Sequence, residues 1–145
     1  MSSINNQFRI NLPEGWDDQT AYTFMGPEVN GVQHLLTLVI DKNIGDTDLY
    51  NFALDRIDPV RSSLQGIETL KEEERTLPSG VPVYEWIYKW IPTEGNVIFK
   101  KQVYMLIGKR GYSFSASFSK QSFKTIGVEV DQMINSFIPG LESGA

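Results

Sequence analysis

The chain has 145 residues, 41% of them hydrophobic and 21% charged, with no cysteine and a formal net charge of −5. That length and apolar fraction suit one domain with a real core and exclude wholesale disorder. Without cysteine there is no disulfide framework, no thiolate metal site and no cysteine nucleophile. The acidic balance argues against binding to phosphate backbones, which needs clustered Lys and Arg.

Phe8, Ile10 and Leu12 alternate with Arg9 and Asn11 and predict a first strand that stops at Pro13. Turn residues at Pro13–Gly15 follow, then a second strand over Thr20–Met25. Gly26-Pro27 and Asn30-Gly31 mark a turn, and Gln33–Asp41 reads as a buried strand. Asp46, Thr47 and Asp48 supply a helix N-cap. Leu49, Phe52, Ala53, Ile57, Val60 and Leu64 then recur at helical spacing. Pro59 lies inside that stripe and is expected to bend or split the helix near Asp58.

Gly66 ends the helix, and Ile67–Leu77, dense in Glu72, Glu73 and Glu74, reads as a polar edge strand. On Val83–Ile91, Tyr84, Trp86, Tyr88 and Trp90 occupy one face and Val83, Ile87 and Ile91 the other. Thr93-Glu94-Gly95-Asn96 closes a hairpin into Val97–Ile107, and Lys109-Arg110-Gly111 turns into Tyr112–Phe118. A last helix carries Phe123, Ile126, Val130, Met133, Ile134 and Phe137, and Pro139 stops it. The expected fold is therefore α+β: a single twisted antiparallel sheet of about six to seven strands with two main helices packed on it. It forms a single domain over 1–145, with a core over about 8–139 and flexible termini.

Seven strands about 4.8 Å apart make a sheet wider than two helices can cover on one face. If both helices pack together, the other face is left apolar, and a dimer mate, an apolar ligand or a peptide would cover it. If they take opposite faces, a three-layer sandwich leaves little over.

Chemical motifs are sparse. Asp41-x-Asn43-x-Gly45-Asp46 fails as a calcium loop and reads as a helix-capping loop. His34, the single histidine, has no second ligand at useful spacing and reads as a surface or strand-end residue. Ser113, Ser115 and Ser117 read as a polar sheet face. Lys100, Lys101, Lys109 and Arg110 form a small basic cluster, and the aromatic row reads as packing. No catalytic residue, metal site or cofactor is expected, and an enzyme is not. The start, MSSINNQFRI, shows no basic region leading into an apolar run, and no apolar stretch could cross a bilayer. A cytoplasmic protein is the expectation, with no nucleic-acid partner and no direct membrane insertion.

The opening Phe8-Arg9-Ile10-Asn11-Leu12-Pro13-Glu14-Gly15-Trp16, Leu64-x-Gly66, Lys101-Gln102-Val103-Tyr104 and Phe137-Ile138-Pro139 together resemble the DcrB-like domain family. That resemblance implies a PsbP-like fold. It also implies the role of the Eag chaperones of type VI secretion, homodimers that shield the hydrophobic N-terminal transmembrane helices of an effector in a sheet groove. In this resemblance Val39, Leu64 and Ile98 match apolar groove positions, and Gln102 matches a glutamine that bonds to the bound helices. Ala21 and Thr23 stand where the family has apolar groove residues, and Arg56 where it has a second polar contact. The alternative is a DcrB-like ligand-binding or structural domain without secretion cargo.

Overall fold

The computed structural model describes residues 2–4, 9–29, 31–93 and 95–139. Expectations that fell on Phe8, Asn30, Glu94 and the tail from Gly140 lie outside these residues. In chain order the elements are β1 (Ser2–Ile4), β2 (Arg9–Asn11), β3 (Gln19–Val29), β4 (Val32–Asp41), α1 (Leu49–Ser63), β5 (Ile67–Thr76), β6 (Pro82–Thr93), β7 (Asn96–Ile107), β8 (Arg110–Phe118) and α2 (Ile126–Asn135). A 3-10 turn, Ser122–Lys124, leads into α2. The fold is α+β, built on one six-stranded antiparallel sheet of order β3-β4-β8-β7-β6-β5. The expected first strand exists as β2, but it pairs with β1 in a separate two-stranded ribbon and does not join the main sheet.

The chain path follows from these pairings. After the β3–β4 hairpin the chain crosses along α1 to the far edge. It then returns as the meander β5-β6-β7-β8, and β8 closes beside β4. Short turns make each step of the meander antiparallel. Gly66 sets the exit from α1: its φ is +76°, and a Cβ there would meet the Ile91 carbonyl at 3.0 Å.

The helices take opposite faces, which decides the question the sequence left open. Period-two alternation sends Tyr84, Trp86, Tyr88 and Tyr104 to one face, where Phe52, Ala53 and Ile57 of α1 pack on them. It sends Val83, Val103, Met105 and Phe114 to the other, under Val130 and Ile134 of α2. Of the two arrangements the sequence allowed, the three-layer one is found, and among the described residues neither face is wholly bare. The aromatic row is packing, as expected: the Trp86 indole is fully buried and donates to the Thr69 hydroxyl at 3.0 Å.

Two local expectations are also corrected. α1 runs unbroken through Pro59. Both Pro59 and Asp55, whose carbonyl loses its donor, are exposed, so water satisfies that carbonyl. His34 is buried, not superficial. Its Nε2 lies 2.8 Å from the Ser122 hydroxyl and its Nδ1 3.1 Å from the Pro27 carbonyl. Those partners come from a strand edge and from the α2 approach, so the tautomer with Nδ1–H donating to Pro27 satisfies every atom.

Candidate functional site

α1 roofs only part of its face. It packs over β6 and β7 and reaches Gly111 at the start of β8 and Asp41 at the end of β4; among the described residues the rest of β8, β4 and β3 carries no helix on that side. Rows of directly opposed residues form the floor. One row runs Ala21–Val39–Ser113–Tyr104 and the next Thr23–Thr37–Ser115–Gln102. Further along, Met25 faces Leu35, and Ser117 faces Lys100. The wall is α1 itself, with Asp55, Arg56 and Val60 lining a cavity of about 430 Å³ together with Gln19, Val39, Asp41 and Gln102. At about 3.4 Å per residue, the stretch of β7 from Leu106 to Ile98 is roughly 27 Å long, the length of a helix of about 18 residues.

The trough is not the greasy surface the sequence suggested. Its middle is small and hydroxyl-bearing, with Ser113, Ser115 and Thr37, and apolar side chains stand around it. The cause is β8, whose aromatic phase is spent on the α2 side and whose serines are left for this one.

The seven residues singled out from the sequence divide as follows. Val39, Gln102 and Arg56 line the cavity together. Ala21 and Thr23 continue its floor across β3 and are exposed. Ile98 sits further along the same face, opposite Trp90, and is half-buried. Leu64 is the C-cap of α1, with its N–H bonded to the Val60 carbonyl at 3.0 Å. It lines no part of the cavity.

Gln102 is held in place by its neighbours. The Tyr104 hydroxyl donates to its Oε1 at 3.0 Å, and Tyr88 bonds to the same side chain. Burial raises the pKa of both phenols, so they stay protonated at any physiological pH, although the Gln102 bond pulls Tyr88 partly back. Arg56 is locked in a similar way. It donates to Asp41 at 2.6 Å and to the Phe52 carbonyl at 3.2 Å, and its guanidinium lies 3.8 Å from the Phe52 ring centre. A second, polar cavity of about 340 Å³ adjoins this end and shares Asp41, Asp55 and Arg56.

The basic cluster read from the sequence is split by strand alternation. Lys101 points to the α2 side, where its ammonium is buried against Glu85 at 3.3 Å and against Asp131. Lys100 points into the trough. Burial lowers its pKa, and no carboxylate or hydrogen-bond acceptor partners it among the described residues. The alternation of β7 already places it on the Gln102 face; its lack of a partner there depends on the neighbouring strands and has no local mark in the sequence. Among the described residues no group of His, Asp and Glu could hold a metal ion, and no helix is long and apolar enough to cross a membrane.

No protein-family model matches the chain, and no curated protein does. Solved structures share its fold at low identity. A Pseudomonas aeruginosa protein of unknown function, PA94, superposes with a TM-score of 0.75 at 15% identity, covering 98% of each chain. LpqN of Mycobacterium tuberculosis, involved in cell envelope biogenesis, gives 0.59 at 14% identity over 83% of this chain and 77% of its own. The PsbP protein of the cyanobacterium Synechocystis gives 0.53 at 15% identity over 97% and 92%. The fold is thus PsbP-like, a sheet with one helix on each side.

Proposed function

We propose that this protein is an Eag-type chaperone that works in the cytoplasm and shelters an apolar N-terminal helix of a secretion effector in the half-roofed trough beside α1. The observation that carries this reading is the convergence of Val39, Gln102 and Arg56 on one cavity, in a trough as long as most of a membrane-spanning helix. The DcrB-like resemblance of the sequence gives that trough its cargo. In water such a helix exposes about 20 apolar residues, and each Leu-sized side chain taken out of solvent is worth about 1.5–3 kcal/mol. Small hydroxylated residues on the floor let a helix backbone approach closely, and their O–H groups meet its polar side chains. Gln102, held by two tyrosines, offers a fixed amide for register.

The test is co-expression with an effector whose N-terminal segment is apolar. Gln102→Ala is expected to lower the soluble yield of that partner several-fold, and Ile98→Asp to abolish it. Neither should lower the melting temperature of the chaperone by more than about 5 °C. Equal partner solubility and binding in both variants would remove the trough from the reading and leave a DcrB-like domain without cargo.

The reading includes a homodimer, and β3 is the edge that favours one. It has no strand on its outer side among the described residues, and from Gln19 to Met25 it carries neither Lys nor Pro. Tyr22 is 51% and Met25 73% exposed, one on each face. Light scattering is expected to give twice the chain mass for the wild type and a single chain mass for Tyr22→Lys with Met25→Lys. A wild-type monomer at tens of micromolar would exclude pairing through this edge.

A further inference from the structure

We propose that a helix bound in this trough lies in one direction only, with its N-terminus beside Asp41 and Asp55 and its C-terminus beside Lys100; the inference rests on the trough being a helix site. The ends of the trough differ in charge. At one end the two adjoining cavities are lined by three carboxylates, Asp41, Asp46 and Asp55, against the single guanidinium of Arg56. At the other end Lys100 stands between Ser117 and Tyr88, half-buried and with no counter-charge among the described residues. Such an ammonium gives up water without gaining a partner, so it favours whatever brings acceptor oxygens to it. A helix does so at its C-terminus, where the last carbonyls are unsatisfied and the macrodipole leaves about half a negative charge. Its N-terminus, with about half a positive charge, suits the carboxylate end.

α1 runs in the same direction and opposes this arrangement through its own half-charges. Its N-terminal half-charge is already answered by Asp48, whose carboxylate caps Asn51 at 2.8 Å. Arg56 answers Asp41 at 2.6 Å, so the carboxylates in excess, Asp46 and Asp55, together with Lys100 set the direction.

The test uses the whole chain and a leucine–alanine helix of about 20 residues, acetylated and amidated, in mild detergent, with a benzophenone photo-crosslinker at one end or the other. The N-terminal probe is expected to label the segment 41–56 about five-fold more than the positions around Lys100 and Ser117, and the C-terminal probe the reverse. Lys100→Met, which keeps the apolar stem, should reduce that ratio, and Lys100→Glu should bring it close to one. Equal or reversed labelling in the wild type, or a ratio unmoved in both variants, overturns the orientation while leaving the trough as a helix site. Labelling confined to other surfaces overturns the helix site and the orientation with it.

Discussion

Glu85→Ala is expected to cost about 3–5 kcal/mol of folding stability, enough to lower the melting temperature by roughly 10 °C. The Glu85 side chain is 2% exposed and sits between Lys71 at 3.1 Å, Arg75 at 2.9 Å and Lys101 at 3.3 Å. These cations come from β5 and β7, and Arg75 also bonds to Asn135 of α2 at 3.1 Å. Removing the carboxylate strands the Lys101 ammonium, 6% exposed, with Asp131 as its remaining partner. A buried ammonium left with one half-exposed partner is what makes such a deletion severe, because the Glu85–Lys101 pair itself adds little over apolar packing. Glu85→Met combined with Lys101→Met should therefore recover most of the loss. Urea unfolding followed by the fluorescence of buried Trp86 measures both. A loss below about 1 kcal/mol for Glu85→Ala would refute the account.

The same group gives a pH dependence with a definite sign. Burial pushes the Glu85 pKa up, but Lys101, Lys71 and Arg75 together outweigh it and hold it below the usual carboxylate range. A carboxylate whose pKa is lower folded than unfolded stabilises fully above its unfolded pKa, about 4.3, and loses that stabilisation as pH falls toward the folded value. The stability gap between wild type and Glu85→Gln should be constant from about pH 6 to 8 and shrink below about pH 4. A gap that widened in acid would place the charge elsewhere.

Much of the fold was legible because it rests on local periodicity. The alternation of β6 and β8 and the stripe of α1 each declare a buried face within a few residues. What was not legible depends on distant partners. Which face each helix takes is fixed by the crossover from β4 to β5 and by the packing of α2 on β8, and neither leaves a local mark. The burial of His34 depends on Ser122, 88 residues away. The charged network left a signal that went unread: Glu85 and Lys101 fall in the apolar phase of their strands, beside Val83 and Val103, where opposite charges must meet each other.

The candidate site was legible to a different degree. The residues matched by resemblance fell largely on one face because β3, β4 and β7 keep their alternation in register. The polarity of the trough floor was missed for the opposite reason. Alternation along β8 marks Ser113, Ser115 and Ser117 as a polar face, but only the order β4-β8-β7 puts that face in the middle of the trough. Apolar groove and polar strand, assigned separately, are the same surface.

That surface depends on where α1 sits, and Gly111 decides it. Gly111 lies in β8 opposite Asp41 and Leu106, and a Cβ there would stand 2.3 Å from two Phe52 ring carbons. Phe52 is 1% exposed and carries the Arg56 guanidinium on its ring, so it has no room to retreat. Gly111→Ala is expected to cost about 3 kcal/mol by overpacking, lifting the first turns of α1. Lifting them moves Arg56 from Asp41 and spoils one wall of the trough, so partner capture should fall with stability. Phe52→Leu alone should also destabilise, by opening a cavity. Together the two changes relieve one another, because the shorter side chain makes room for the methyl group. The double-mutant cycle should thus show a coupling of at least 1 kcal/mol in the stabilising direction. Additive losses would mean that Gly111 and Phe52 do not meet, and that α1 is seated by other contacts.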